Sequence, residues 1–170
     1  MKKYFAEFIG TYFLLSTVVG SGIMAERLSM GNDAIALLAN AIATGATLIV
    51  FISIFINISG AHFNPVVSVI MYLRNKIKLN QTIFFIIVQI FGGILGVWTI
   101  HFIFELEILQ LSGNIRTGIP QYSSEILATF GLIFVILMSE KYNPDKIPIL
   151  VGLYITSAYW FTSSTSFANP

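Results

Sequence analysis

The chain has 170 residues, of which 56% are hydrophobic and only 10% are charged, and its mean hydropathy is +0.83. Soluble domains carry roughly 25% charged residues, so this composition excludes an ordinary water-soluble protein and indicates one that lies in a lipid bilayer. The net charge of +1 excludes nucleic acid as a partner, and a chain with no Cys has neither a disulfide nor a thiolate metal site.

Five apolar stretches are predicted to cross the membrane as helices. A spanning helix needs roughly 20 mainly apolar residues, because it rises about 1.5 Å per residue through about 30 Å of hydrocarbon. In chain order, the stretches cover approximately residues 4–24, 35–57, 82–104, 122–140 and 147–163. The segments between them hold most of the charged and turn-forming residues.

The basic residues predict the orientation of these spans, because Lys and Arg accumulate on the cytoplasmic side of a membrane. A cytoplasmic N-terminus places seven Lys and Arg residues inside and only Arg27 and Arg116 in outer loops. We therefore expect a multi-pass protein of the plasma or inner membrane with its N-terminus in the cytoplasm.

Two parts of the sequence repeat each other. AEFIGTY at 6–12 resembles SEILATF at 124–130, and SGAHFNP at 59–65 resembles STSFANP at 164–170. An odd number of crossings separates the two copies, so the second is predicted to be inverted relative to the first. Inverted repeats of this kind build pathways at the membrane midplane.

The predicted organisation is a single all-α membrane domain over residues 1–170. Its first repeat covers about 1–104 and its second about 122–170. Each repeat carries an acidic residue at the start of a span and an Asn-Pro motif further on.

The first Asn-Pro motif predicts a half-helix that enters the membrane without crossing it. The stretch 58–72 is apolar after Asn64 but too short to span. Asn is favoured at the N-cap and Pro at the first helical position, so Asn64 and Pro65 mark the helix start. The irregular backbone ahead of it is tolerated at membrane depth only inside protein or along an aqueous cavity. The amides of Asn64 and Asn169 are predicted to donate hydrogen bonds to a solute there, while the half-helix dipoles repel cations.

These motifs, together with QIFGGILG at 89–96, resemble those of the aquaporin and aquaglyceroporin family over essentially the whole chain. The resemblance implies six membrane helices, two half-helices that meet at their Asn-Pro-Ala ends, and a homotetramer with one pore per subunit. The first motif has Val66 in place of Ala, and the second ends at Pro170. The sequence is therefore interpreted as a truncated member with five spans and the sixth missing. The pore motifs are assigned to Asn64, Pro65, Val66, Asn169 and Pro170.

The resemblance also implies candidates for a selectivity filter. Thr44 lies at the filter position of the second span, Ser157 or Tyr159 at that of the fifth, and Ser166 or Thr165 on the second loop. A filter of Thr and Ser would be wider and more polar than a strict water filter. Such a filter would admit glycerol or metalloid hydroxides such as arsenite as well as water.

Glu7, Glu125 and His62 each have two interpretations. Ionisable groups inside a membrane are functional by default, so the acids could relay protons and His62 could gate with pH. The favoured interpretation is that the carboxylates accept backbone N–H bonds that brace the two irregular loops, while His62 holds its own loop by a hydrogen bond.

Other polar or small residues in the spans have structural interpretations. Gly92 and Gly96 form a GxxxG pattern that permits close helix contact, within one subunit or between subunits. Asn40 and Asn57 are interpreted as internal hydrogen-bonding residues without a role in transport.

The predicted function is a passive channel for water or small neutral solutes, working without a cofactor or metal. An enzyme is not supported, because the sequence has no nucleophile with a base, no metal-binding cluster and no glycine-rich phosphate loop. Two alternatives stay open. A secondary transporter shares inverted repeats and broken helices but needs a coupling-ion site, and a truncated membrane protein could insert without transporting.

Overall fold

The computed structural model describes residues 1–110 and 117–170, and its architecture is all-α. Among the described residues, four helices are long and apolar enough to cross a membrane. The predicted all-α membrane fold is thereby confirmed. Arg116, assigned above to an outer loop, lies outside the described residues. The helices are α1 (Lys2–Leu28), α2 (Asp33–Ser59), α3 (Pro65–Leu73), α4 (Leu79–Ile103), α5 (Ile119–Tyr142) and α6 (Ile147–Phe161), with a 3-10 turn at Pro144–Lys146.

The last predicted span, α6, is shorter than the sequence pattern indicated. Its 15 residues extend about 22 Å at 1.5 Å per residue, less than the hydrocarbon thickness. The helix ends because Thr162 takes an extended conformation, and the Thr162 hydroxyl donates to the Ala158 carbonyl. The 3-10 turn before α6 adds about 6 Å to its length.

The predicted half-helix is confirmed as α3, which has nine residues. Asn64 is the N-cap with an extended backbone, and its side-chain oxygen accepts a hydrogen bond from Val66 N at 2.8 Å. Pro65 follows at the start of the helix, where its missing N–H costs nothing. Nine residues reach about 13 Å, so α3 ends well inside the membrane thickness.

Glycines set how closely the long helices pack. A Cβ on Gly92 would lie 2.5 Å from the Phe8 carbonyl oxygen, and one on Gly96 would lie 2.4 Å from the Tyr12 carbonyl oxygen. The GxxxG pattern of α4 therefore serves contact with α1 inside one subunit. The two repeats also pack closely against each other, since a Cβ on Gly152 of α6 would lie 2.5 Å from the carbonyl oxygen of Gly45 in α2.

We expect Gly96→Ala to destabilise the protein by about 1–3 kcal/mol, because the added methyl group overpacks the contact of α4 with the α1 backbone. Thermal denaturation in detergent measures the effect. Gly93→Ala is the matched control, since its Cβ would meet Leu15 Cγ at an ordinary 3.5 Å. Equal melting temperatures for the two variants would contradict this account of the packing.

Candidate functional site

The carboxylate of Glu7 holds the loop that precedes α3. Glu7 is 0% exposed and sits in the second turn of α1. One of its oxygens accepts from Ser59 Oγ at 2.5 Å and His62 N at 3.0 Å. The other accepts from Phe63 N at 2.8 Å and Gln89 Nε2 at 2.9 Å. Four donors from two segments of the chain thus converge on one side chain.

Glu125 makes the corresponding contacts in the second repeat. Its two oxygens accept from Phe167 N at 3.0 Å and Ala168 N at 2.8 Å. Ser164 Oγ accepts from Ser166 N just as Ser59 Oγ accepts from Ala61 N. The same contacts between an acid, a serine and a loop therefore occur in both repeats. Glu125 on α5 takes the place that Glu7 has on α1.

Both loops have the same unusual backbone. Ala61 and Phe63 have φ values of 50° and 48°, and Ser166 and Ala168 have 53° and 45°. Non-glycine residues rarely adopt this left-handed region, and each costs of order 1–3 kcal/mol unless the surroundings impose it. The left-handed turns point consecutive N–H groups at one carboxylate, which offsets that cost.

The two Asn-Pro motifs meet and bond to each other. Asn64 Nδ2 donates to the Ala168 carbonyl at 2.6 Å, and Asn169 Nδ2 donates to the Phe63 carbonyl at 3.0 Å. Each amide nitrogen carries two hydrogens, so each keeps one after this exchange. Asn64 is 4% exposed, so its remaining N–H is confined to the space beside the junction.

A cavity of about 530 Å³ runs past this junction. Val66 does not line the cavity, and its backbone N–H donates to the capping side chain of Asn64 at the start of α3. Apolar side chains of α1, α2, α4 and α6 supply most of the walls. The predicted site residues along the cavity are Thr44, His62, Asn64, Pro65, Tyr159, Ser166, Asn169 and Pro170.

Of the two alternatives on the fifth span, Tyr159 lies at this cavity and Ser157 does not. Tyr159 is 7% exposed, and its hydroxyl oxygen is 3.1 Å from Thr44 Oγ1. Ser157 is exposed on another face of α6, where its hydroxyl donates to the Tyr154 carbonyl. Ser157 faces away from the cavity because two residues along a helix differ by about 200° in direction. Which of the two belongs to a selectivity filter stays a prediction.

His62 is tied to the half-helix by its ring. Its Nδ1 is 3.0 Å from Ser68 Oγ, and the ring packs edge-on against Phe85 at 5.3 Å between centroids. Ser68 in turn accepts from Gln89 Nε2 at 3.1 Å. His62 thus joins the loop, α3 and α4 in one hydrogen-bonded group.

Sequence reasoning assigned no role to Gln89, although it belongs to this group. Gln89 is 2% exposed and donates to both Glu7 and Ser68. Its Oε1 and the hydroxyl of Ser166 are buried without a hydrogen-bond partner among the described residues, and both residues line the cavity. A lone amide in an otherwise apolar span was the signal that could have identified Gln89.

We expect Glu7→Gln to lower stability by about 1–3 kcal/mol for each buried donor that loses its acceptor. The new amide offers one acceptor oxygen where the carboxylate offers two, so N–H groups of the loop face another N–H. Thermal denaturation in detergent measures the loss. Glu26→Gln, an exposed change on the same helix, is the control, and a melting temperature as high for Glu7→Gln as for this control would argue against the brace.

Comparison with known proteins places the chain in a family. Its sequence matches the profile described as Major intrinsic protein over residues 1–166. It is 47% identical over 169 residues to the aquaglyceroporin AqpS of Rhizobium meliloti (strain 1021), which covers 99% of this chain and 72% of that protein. It is 32% identical over 146 residues to aquaporin NIP1-1 of Arabidopsis thaliana, covering 80% of this chain and 48% of that protein.

The fold agrees with the sequence comparison. The structure is similar to the X-ray structure of the aquaglyceroporin from Plasmodium falciparum, with a TM-score of 0.78 at 22% identity. The similarity covers 96% of this chain and 74% of that chain. By its sequence and its fold, the chain belongs to the major intrinsic protein family.

Proposed function

We propose that the protein is a passive channel through which water and small neutral solutes such as glycerol cross a membrane. The observation that carries this proposal is the reciprocal bonding of Asn64 and Asn169 beside the cavity. It leaves one amide hydrogen on each side chain to hold the oxygen of a solute. Similarity to proteins named aquaglyceroporin and aquaporin supports the same function.

The electrostatics of the cavity favour neutral solutes over ions as the transported species. The described residues that line it include no Asp, Glu, Lys or Arg. The N-terminal end of α3 points its helix dipole toward the junction, and such an end carries roughly half a positive charge. Cations therefore meet an unfavourable field, whereas a neutral molecule with a polar oxygen can bond to the amides.

We propose Thr44, Tyr159 and Ser166 as the residues that select among solutes. All three are buried polar residues at the cavity. With Tyr159 in the place considered for Ser157, the larger side chain would make the filter narrower than one of Thr and Ser. A narrower filter favours water and slender polyols. Permeation of metalloid hydroxides such as arsenite is a further outcome that the same assay can measure.

A secondary transporter is less compatible with the contacts of the two acids. Both oxygens of Glu7 and of Glu125 accept hydrogen bonds from the loops, and neither residue lines the cavity. A proton relay or coupling-ion site would need these groups to exchange partners with a passing ion.

We further propose a homotetramer in the plasma or inner membrane with a cytoplasmic N-terminus. Broad apolar surfaces support subunit contact, since large side chains such as Phe84, Phe91 and Phe130 are more than half exposed. The excess of Lys and Arg at Lys2, Lys3 and the segment after α3 supports the orientation. Crosslinking in membranes measures the subunit number.

We expect Asn64→Asp to abolish permeation while the protein still inserts. An aspartate cannot donate to the Ala168 carbonyl or to a solute oxygen, and it adds a negative charge at the junction. Stopped-flow light scattering of proteoliposomes containing the full-length protein gives the water and glycerol permeabilities. Wild-type permeation should be fast with a low activation energy.

Asn57→Asp is the matched control, because Asn57, interpreted from the sequence as an internal residue, lies exposed near the end of α2. It should conduct as the wild type does. Wild-type liposomes no faster than protein-free ones would refute the channel for these solutes. Undiminished permeation in Asn64→Asp would refute the role of the Asn-Pro junction.

A further inference from the structure

A basic cleft lies where α1 and α4 begin, beside the loop that follows α3. Its volume is about 680 Å³, and none of its lining residues lines the cavity at the Asn-Pro junction. Its polar lining residues are Lys3, Tyr72, Asn75, Lys76, Lys78 and Gln81. Three of these are cations, and no described residue that lines the cleft is acidic. The cleft therefore attracts anions.

The backbone after α3 determines where two of the lysines lie. Asn75 takes the left-handed conformation at φ 58°, and its N–H donates to the Tyr72 carbonyl at 2.8 Å. Lys76 N donates to the Met71 carbonyl at 2.9 Å. This pair of bonds ends a helix with a defined turn. Lys78 follows two residues later as the N-cap of α4, so both lysines are carried by a backbone of fixed shape.

The first and third lysines of the cleft have hydrogens available for a ligand. Lys3 Nζ donates to Gln81 Oε1, which joins the start of α1 to the first turn of α4. An ammonium group carries three hydrogens, so Lys3 keeps two. The ammonium group of Lys78 has no hydrogen bond or ion pair with the described residues, and this side chain is exposed.

The nearest acid does not neutralise the cleft. Glu140 of α5 lies with its Oε1 3.0 Å from Lys76 Nζ, and its other oxygen pairs with Arg74. One carboxylate is therefore shared between two cations. Lys3 and Lys78 are left without an acidic partner among the described residues.

The cleft lies at the surface of the membrane. With 27 and 25 residues, α1 and α4 extend about 40 and 37 Å, whereas the hydrocarbon layer is about 30 Å thick. Their first turns therefore reach the headgroup layer. Below the cleft, Leu79, Ile83 and Ile87 recur every four residues on one face of α4 and are 50%, 47% and 42% exposed. A positively charged cleft thus continues into an exposed apolar face.

We propose that this cleft binds an anionic phospholipid, with the headgroup phosphate on Lys3 and Lys78 and an acyl chain along the apolar face below Leu79. Phosphate oxygens accept hydrogen bonds, and the cleft adds two neutral donors in the Tyr72 hydroxyl and the Asn75 amide. Basic pockets at this depth between membrane helices bind anionic headgroups. A zwitterionic lipid brings a cation of its own, which the lysines repel.

The bound lipid would join three segments of the fold, since its phosphate contacts α1, the loop after α3 and the start of α4. A ligand that binds only the folded state stabilises it in proportion to its concentration and affinity. The lipid lies outside the cavity. The inference therefore holds whether or not the protein conducts, and binding can be measured without a transport assay.

The test titrates the full-length protein in detergent with dioleoyl phosphatidylglycerol or dioleoyl phosphatidylcholine, and native mass spectrometry counts the lipids bound per chain. We expect the anionic lipid to bind at least about tenfold more tightly, because two or more lysines contribute. Lys78→Gln and Lys3→Gln should each weaken its binding about fivefold, the effect of one cation beside an anionic headgroup. Lys78→Arg keeps the charge and should bind as the wild type does.

Lys146→Gln is the matched control. It removes the same charge from an exposed residue in the 3-10 turn before α6, which is predicted to lie on the same side of the membrane but does not line the cleft. It should bind phosphatidylglycerol as the wild type does. Melting temperatures of the lipid-free variants check that each one is folded. Glycerol phosphate, which has the phosphate without acyl chains, should not displace the lipid at equal concentration.

Equal losses in Lys78→Gln and Lys146→Gln would overturn the inference, because the lipid would then follow the general surface charge. Equal affinity for the two lipids would overturn it as well. Displacement of the lipid by an equal concentration of glycerol phosphate would show that the cleft takes a soluble phosphate compound instead.

Discussion

The structure depends on a carboxylate that binds the backbone N–H groups of an irregular loop inside the membrane. Glu7 and Glu125 each bond to consecutive amides of a left-handed segment. In hydrocarbon an unpaired backbone group costs several kcal/mol, so non-helical backbone survives there only with such partners. Hydrogen bonds from the loops stabilise the buried negative charge. The same bonds make the loops rigid, so that Asn64 and Asn169 lie in fixed positions.

Close helix packing makes the brace possible. Gly92 and Gly96 bring α4 against the backbone of α1, and this contact places Gln89 within hydrogen-bond distance of Glu7. Gly10 contributes as well, since any Cβ there would overlap the ring of Phe63, which is 1% exposed. Small residues on the long helices thus determine where the loop lies, and the loop determines where the two motifs meet.

The sequence predicted those features that depend on local residue chemistry or on the internal repeat. The cap at Asn64 and the half-helix after it follow from the residue types alone, and the resemblance of AEFIGTY to SEILATF pairs the two acids. The choice between Ser157 and Tyr159 could not be made in the same way. It depends on where α6 ends and how the chain turns at Thr162, and a shift of two residues moves a side chain to another face.

Asn40 shows what sequence analysis can establish about a polar residue inside a span. The sequence predicts an internal hydrogen-bonding residue, and its side chain does face polar groups on α1 and α2 rather than the cavity. Carboxylates that would have charged the cavity are bound to the loops instead, which leaves donor and acceptor placement as the means of discriminating between neutral solutes.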